Sequence, residues 1–269
     1  MNAPRDFVKE ICAEEGIDLK LLSKGYVLRL TKNNTSRHIF GAYWDINSAA
    51  ADRIACDKTA CYTLLNDSGI PAIAHILMYS PLRLGEWADP NGTWTQALNY
   101  FKSCDNKLVV KPNKGTKGEH VYYCNTVHAL ECAVQAIFET YPDAALSPYQ
   151  EIETEYRVFH LNGKCLLAYG KTKGVTWQHN LSQGAKAFEI PENSPGNKER
   201  LAKLANLANR AAKCVNINFA TIDIAESPAG EMSIMEINSG IQARLLIEQH
   251  PHLRDTVKGI YSEAIKSMF

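Results

Sequence analysis

The sequence has no excess of charge of either sign. Its 269 residues include 29 Lys and Arg and 29 Asp and Glu, so the formal net charge at pH 7 is zero. Proteins that hold nucleic acid or an anionic membrane through a broad basic surface carry a clear positive excess. We therefore expect no nucleic acid and no membrane among the partners, although a local basic site is compatible with this balance.

Long hydrophobic runs are also missing. The longest uncharged, mostly apolar stretch runs from about Gly69 to Leu82 and contains two prolines and a histidine, whereas a membrane-spanning helix needs about 20 apolar residues. The N-terminus carries Arg5, Asp6 and Lys9 and lacks the apolar segment of a secretory signal. None of the eight cysteines belongs to a C-x-x-C pair, and several lie in apolar stretches, as free buried thiols do. These features predict a cytoplasmic protein.

The hydrophobic pattern predicts an α+β fold in which antiparallel hairpins dominate the second half. Apolar periodicity and helix-stop residues predict helices over Phe7–Glu15, Ser48–Asp67, a segment ending near Ser103, Val127–Thr140, Lys198–Val215 and Thr256–Met268. Alternation and turn residues predict strands over Gly25–Leu30, Arg37–Tyr43, Ile70–Met78, Lys107–Lys111, His120–Cys124, Tyr149–Glu153, Tyr156–Leu161, Lys164–Lys171, Ile217–Glu226 and Glu231–Asn238, with turns at Asp89–Gly92 and Asn162-Gly163.

A Gly- and Lys-rich segment, residues 113–119, follows the predicted strand that ends at Lys111. Glycine lets a backbone approach a ligand closely, and lysines beside such a loop can neutralise phosphate charge. Lys111 closes an apolar run, and a buried lysine needs a partner anion. The segment matches neither of the two common Gly-rich phosphate motifs, so a solvated hairpin turn is the alternative, and both interpretations stay open.

Two predicted strands near the C-terminus carry carboxylates. Asp223 interrupts an otherwise apolar strand, and Glu236 and Asn238 share one face of the next. If a four-residue turn joins the strands, Asp223 faces Ile234 and lies on that same face, whereas a slip of one residue would reverse this. Two carboxylates and an amide oxygen suit a hard cation such as Mg²⁺. The alternative is a polar outer face of the sheet with Asp223 hydrogen-bonded.

Taken in order, these segments resemble the ATP-grasp carboxylate–amine ligases, in particular the group of cyanophycin synthetase, the glutathione synthetase-like enzymes and the ribosomal-protein glutamate ligases. The resemblance covers roughly residues 46 to 240. Its six motifs are the Asp-Lys segment Ile46–Lys58, Leu64-Leu65 with Ser68–Pro71, Val109–Pro112, the Gly-rich loop, the hinge-like Gln150–Val158, and Asp223 with Met235–Asn238.

The resemblance implies a fold of two α+β lobes that grip ATP. It implies a short N-terminal region over residues 1–45, reduced relative to the domain that usually precedes the fold, a central lobe over 46–148 with the Gly-rich loop, and a C-terminal lobe over 149–269 with the metal site. It also implies ATP and Mg²⁺ as cofactors, with Mn²⁺ as the alternative ion, and small-molecule or peptide acid and amine substrates. A homodimer or a partner protein would supply the surface that the short N-terminal region lacks.

The same resemblance implies roles for individual residues. The nucleotide would be bound by Lys58, Lys111, the loop residues Lys114, Gly115, Thr116, Lys117 and Gly118, the hinge residues Gln150, Glu151 and Ile152, and Glu155 at the ribose. The metal ligands would be Asp223, Glu236 and Asn238. The reacting groups would be held by Arg157, Lys171, Asn180 and Arg244.

The implied reaction is amide or peptide bond formation through an acyl phosphate. Two alternatives use the same fold, a kinase that phosphorylates a hydroxyl group and an ATP-binding regulatory module without turnover. The sequence departs from the glutamate ligases near Asn180, where Gln178 and Gln183 replace arginines, so recognition of substrate charge is expected to differ. No proline follows Ser239, where the family's motif has one.

Several further residues have two interpretations. Arg244 suits either a substrate carboxylate or an ion pair with Glu248 one helical turn further on. A lone histidine such as His179 is more often structural than catalytic. His250 and His252 flank a proline, and two histidines without further ligands at suitable spacing indicate a surface loop rather than a metal site.

Overall fold

The N-terminal residues form a helix and a meander of short strands. The computed structural model describes residues 3–80, 92–174 and 179–269. Helix α1 (Ala3–Glu14) precedes an antiparallel sheet of four strands in sequence order, β1 (Asp18–Leu22), β2 (Val27–Lys32), β3 (Thr35–Phe40) and β4 (Tyr43–Trp44). Strand β1 was not predicted, because its alternation is interrupted by the leucine pair at its end.

Two helices follow where the sequence pattern predicts one. The prediction of a single helix over Ser48–Asp67 is wrong, because α2 (Ala49–Cys56) ends before Asp57 and α3 (Lys58–Asp67) begins after it. Asp57 has an extended backbone (φ −108°, ψ 104°), and its side chain caps the N-terminus of α3. An aspartate that caps a helix satisfies backbone N–H groups that the helix itself leaves unpaired. The break therefore places Lys58 at the first position of a new helix.

A four-stranded antiparallel sheet forms the smaller lobe. Its strands are β5 (Ile76–Tyr79), β6 (Leu108–Pro112), β7 (Tyr122–Cys124) and β8 (Asp143–Pro148), in the order β5-β8-β6-β7. Helices α4 (Trp94–Ser103) and α5 (Val127–Phe138) pack on it. The turn predicted at Asp89–Gly92 lies mostly outside the described residues.

The strand predicted over Tyr149–Glu153 is wrong, because the strand in this region is β8 and it ends at Pro148. Five of the six residues of β8 are buried, since it lies inside the sheet, so it shows no polar alternation. The alternating residues that follow it instead form an irregular link to the next sheet.

The larger sheet has five antiparallel strands in the order β11-β10-β9-β12-β13. They are β9 (Thr154–Leu161), β10 (Lys164–Lys171), β11 (Ala187–Glu189), β12 (Phe219–Glu226) and β13 (Met232–Asn238). Strand β10 has the bounds that its pattern predicts, because Asn162-Gly163 makes the tight turn before it with positive φ at both residues. The remaining helices are α6 (Asn197–Val215), α7 (Arg244–Gln249) and α8 (Arg254–Lys266).

The two faces of this sheet have different surroundings. Alternate residues such as Val158 and Ile222 pack against α6 and against α2 and α3, which we had assigned to the central lobe. The opposite face is apolar at one end, where Phe159 and Phe219 join α1, α8 and the N-terminal sheet in a second core. The other end of that face is polar, and it carries the candidate site. Within the described residues, no helix combines the length and apolar character needed to cross a membrane.

Candidate active site

A cluster of ionised side chains lies on the polar end of the five-stranded sheet. The strand registers place Asp223 opposite Arg157 and Lys171 opposite Glu155. Arg157 donates to both carboxylate oxygens of Asp223, from Nε at 2.7 Å and Nη2 at 2.6 Å. Lys171 donates to Asp223 Oδ1 at 3.3 Å and also to Glu155. Because Asp223 and Lys171 are almost fully buried, water screens these pairs weakly.

The charges in this cluster support one another. Burial alone would raise the pKa of Asp223, but the positive charges of Arg157 and Lys171 outweigh it and lower that pKa. Burial likewise opposes the charge of Lys171, and Asp223 and Glu155 reverse the effect, so the pKa of the lysine is raised. Burial raises the pKa of Glu155 despite Lys171. Asp223 and Lys171 therefore stay ionised at neutral pH and hold fixed positions.

Glu236 and Asn238 complete the cluster from the edge strand β13. The predicted pairing of Asp223 with Ile234 is wrong, because an irregularity in β13 shifts the register so that Asp223 faces Glu236. Our expectation of a common face was nevertheless right. Asn238 Nδ2 lies 3.3 Å from Asp223 Oδ2 and 3.1 Å from Glu236 Oε1.

The donor set on this face fits a hard divalent cation. Asp223 and Glu236 offer carboxylate oxygens, and a rotation of the Asn238 amide would present its oxygen in place of its nitrogen. Glu236 is 30% exposed, and Lys58 Nζ lies 4.0 Å from its Oε2. Asp223 already balances two cations, so Glu236 is the carboxylate best able to accept a new charge.

Two lysines approach the cluster from outside the five-stranded sheet. Lys58 Nζ donates to the carbonyl of Gly115 at 2.9 Å. Burial, reinforced by the charge of Lys58, lowers the pKa of Lys111 to about 8. Among the residues that the structure describes, no carboxylate lies within 4.0 Å of Lys111 Nζ. Two neighbouring lysines with so little compensation fit an anion of high charge such as a polyphosphate.

The Gly-rich loop is anchored by two residues that sequence reasoning missed. Asp57 Oδ1 accepts hydrogen bonds from Ala60 N at 3.0 Å and from Asn113 Nδ2 at 2.9 Å. Asn113 is buried, and its Oδ1 accepts from Thr59 N at 3.1 Å. An aspartate at a helix start was the signal available in the sequence. The contact with Asn113, 56 residues away, was not readable there.

Inside the loop, the backbone turns sharply. Lys117 and Gly118 both have positive φ, and Thr116 O accepts from Glu119 N at 3.3 Å. A Cβ on Gly115 would meet Pro112 Cβ at 2.8 Å, so the position requires glycine or a displaced neighbour. Lys114 reaches back to Asp57, with Nζ 3.3 Å from Oδ2. The start of the loop is therefore held closely against α3.

The link between the lobes, residues 150–152, has free backbone groups. Gln150 and Glu151 are exposed and Ile152 is half-buried. In the part of the chain that the structure describes, the backbone N–H and C=O groups of residues 150–152 have no hydrogen-bond partner in the protein. Exposed, unpaired backbone groups are available to read the edge of a planar base.

The segment around Asn180 touches the Gly-rich loop. Asn180 Oδ1 accepts from Ser182 N at 3.0 Å, and Ser182 Oγ donates to Lys117 O at 3.0 Å. His179 is buried, with no partner for Nε2 among the described residues; Gln178 lies outside them. Arg244 forms the ion pair with Glu248 at 2.6 Å that was one of its two interpretations.

A family model matches the part of the chain that holds most of these groups. Residues 110–247 match a family model described as an "ATP-grasp domain". The chain belongs to this ATP-grasp family. The matched region runs from β6 to α7, so it includes the Gly-rich loop, the link between the lobes and all of the five-stranded sheet.

Similar proteins place this ATP-grasp chain beside known ligases. A "Probable alpha-L-glutamate ligase" of Stutzerimonas stutzeri (strain A1501) is 30% identical over 138 residues, which cover 49% of this chain and 42% of the relative. The matched region thus spans less than half the length of this curated relative.

Solved structures resemble the chain over more of its length. D-alanine–D-alanine ligase from Bacillus anthracis has a TM-score of 0.62 at 17% identity and covers 82% of this chain and 71% of its own. A bifunctional glutathione synthetase from Pasteurella multocida has a TM-score of 0.58 at 11% identity and covers 97% of this chain and 44% of its own. At such low identity these likenesses concern the fold, and the predicted ATP-grasp fold is confirmed.

Proposed function

We propose that this ATP-grasp protein is an ATP- and Mg²⁺-dependent ligase that joins a carboxylate to an amine. The observation that carries the proposal is the meeting of two poorly compensated lysines, Lys58 and Lys111, with the oxygen donors of β12 and β13. Such a site suits a polyphosphate and the cation that accompanies it. The printed name of the similar glutamate ligase supports an amino-acid or peptide substrate.

The nucleotide would lie between the central lobe (46–148) and the C-terminal lobe (149–269). Lys58 and Lys111 would bind its phosphates, residues 113–119 would cover them, and the backbone of Gln150, Glu151 and Ile152 would read the base. Glu155 is assigned to the ribose by resemblance. Its observed ion pair with Lys171 would have to be shared with that hydroxyl group.

The metal ligands would be Asp223, Glu236 and Asn238. When bound, Mg²⁺ would neutralise phosphate charge and orient the terminal phosphoryl group. Arg157 is 23% exposed and is the cation of the cluster that can reach the reacting groups. Lys171 is buried between two carboxylates, which makes it a positioning residue in our proposal.

The chemistry then follows from the weakness of a carboxylate as an electrophile. Transfer of the terminal phosphoryl group of ATP to the carboxylate gives ADP and an acyl phosphate. An amine attacks the acyl carbon and phosphate leaves, which forms the amide. Phosphoryl transfer depends mostly on positioning and charge neutralisation, and water must be excluded because it would hydrolyse the intermediate. The contact between Ser182 and Lys117 is suited to closing the cleft.

The test is phosphate release from Mg-ATP with pools of amino acids and short peptides, with hydroxylamine as a surrogate amine. We expect phosphate together with a hydroxamate. ADP without hydroxamate would favour the kinase, and stabilisation by ATP without turnover would favour the regulatory module. The expected cytoplasmic location and the homodimer or partner protein stay predictions.

A matched pair of variants tests the metal site. Loss of groups that merely support metal ligands costs about 10–100-fold in activity, so we expect Glu236→Gln, which removes a ligand charge, to lower turnover by about 100-fold or more. Its melting temperature should stay near that of the unmodified chain, because the side chain is partly exposed. Glu231→Gln, an exposed change before the same strand, is the control. Full turnover in Glu236→Gln would contradict the proposed role.

A further inference from the structure

A second group of metal-binding side chains lies outside the ATP-grasp site. It joins Glu189, the last residue of β11, to His250 and His252, which follow α7. His252 Nε2 lies 2.7 Å from Glu189 Oε1, and His250 Nδ1 lies 3.6 Å from the same oxygen. One ligand atom from each residue therefore falls within 4.8 Å of the others. The histidine pair alone had indicated only a surface loop, and the fold supplies the third ligand.

The orientation of His250 leaves the correct nitrogen free. Its Nε2 lies 3.0 Å from the carbonyl oxygen of Ala187, which can only accept a hydrogen bond. The neutral ring must then carry its proton on Nε2, and the lone pair of Nδ1 points toward Glu189. Histidines that bind metals usually donate their other N–H to a carbonyl or carboxylate group in this way.

The backbone around the three ligands is held in place independently of any ion. Gln249 Oε1 accepts from Ala187 N at 2.7 Å, and Gln249 Nε2 donates to Ala185 O at 3.3 Å. The segment that carries the histidines is thus fastened to the edge strand. The three ligand side chains are between 21% and 61% exposed, so an ion can enter and water can fill the open positions.

We propose that Glu189, His250 and His252 bind a divalent transition-metal ion, with Zn²⁺ as the best match. Two imidazoles and one carboxylate, with water in the remaining position, form a common three-ligand zinc set. Mg²⁺ prefers oxygen ligands and is disfavoured here. On binding, the ion takes the place of the hydrogen between His252 and Glu189, and the proton of His252 moves to its Nδ1.

The expected effect is to pin β11 to the segment after α7. Ala187, at the start of β11, pairs with Lys171 at the end of β10. The metal would thus secure the edge strand next to the strand that supports the ion cluster. The proposal is independent of the ligase reaction, because it is tested on the protein without nucleotide.

The experiment uses the full chain without an affinity tag, in buffer that contains Mg²⁺. One other exposed pair could bind zinc, since Cys132 Sγ lies 3.7 Å from His128 Nε2, so every variant also carries His128→Ala. We expect calorimetry to give one Zn²⁺ per chain, Co²⁺ to give the visible absorption of a four-coordinate ion, and zinc to raise the melting temperature.

His252→Ala and Glu189→Gln should each weaken zinc binding by at least about 10–100-fold, whereas His38→Ala, at an exposed histidine on β3, should not. Two mutated sites allow for the failure of either variant to fold. Unchanged zinc affinity in folded His252→Ala and Glu189→Gln, or no zinc binding by the starting protein, would overturn the proposal.

Discussion

At the scale of single residues, Lys111 connects burial with ligand binding. Burial and the charge of Lys58 lower its pKa to about 8, below the value near 10.4 of a free lysine. The folded chain without ligand therefore favours the neutral amine. Its free energy of unfolding should rise with pH between these two values, because the unfolded chain there holds the extra proton.

Bound polyphosphate reverses that preference, and this gives a prediction. Because phosphates favour the charged ammonium, the affinity for ATP should weaken as the pH rises through about 8, and binding near pH 8.5 should take up protons. Calorimetry in two buffers with different heats of ionisation measures the uptake directly. Lys111→Met should abolish it, and Lys114→Met, at a half-exposed side chain, should retain it. An ATP affinity that is independent of pH between about 7 and 9.5 would show that Lys111 does not meet the phosphates.

At the scale of elements, the break between α2 and α3 links a helix cap to the Gly-rich loop. Asp57 caps α3 and also holds Asn113, at the start of the loop. We expect Asp57→Ala to lower the free energy of unfolding by about 1–2 kcal/mol. We also expect it to raise KM for ATP by about tenfold, which corresponds to about 1.4 kcal/mol. The effect on kcat should be smaller, because the ion cluster is untouched.

Asp57→Asn is the matched variant for this prediction. Asparagine is as good a helix cap as aspartate, and it keeps an oxygen for Ala60 N and Thr59 Oγ. Only the contact with the half-exposed Lys114 would be lost. Urea unfolding and ATP saturation curves on both variants make the comparison. An equal rise of KM in the two variants would point to Lys114 instead of the cap.

The elements also show what the sequence can and cannot predict. Strand β10 and helix α6 were readable because a tight turn and a long apolar stripe define them locally. Strand β8 was not, because it is buried and lacks polar alternation. In the site, the types and order of the residues identified the carboxylate strands. The shifted register of β13, the bond from Asp57 to Asn113 and the approach of Glu189 to His252 depend on tertiary packing.

At the scale of the whole molecule, the N-terminal region is part of the core. Trp44 is 4% exposed, and its ring centroid lies 5.2 Å from that of Phe219 and 5.5 Å from that of Tyr261. Phe219 begins β12, the strand that carries Asp223 four residues later. Residues 1–45 therefore support the back of the catalytic sheet, whatever they contribute to substrate binding.

This arrangement predicts a large loss of stability without a loss of chemistry. Trp44→Ala should lower the free energy of unfolding by about 3–5 kcal/mol, because it leaves a cavity among three aromatic rings. Tyr43→Ala, at the exposed neighbouring position, should cost less than about 1 kcal/mol. Urea unfolding measures both. Folded Trp44→Ala at low temperature should retain kcat, since Trp44 touches none of the charged groups. A stability close to that of Tyr43→Ala would mean that the N-terminal sheet packs loosely and that the core of the five-stranded sheet is sufficient without it.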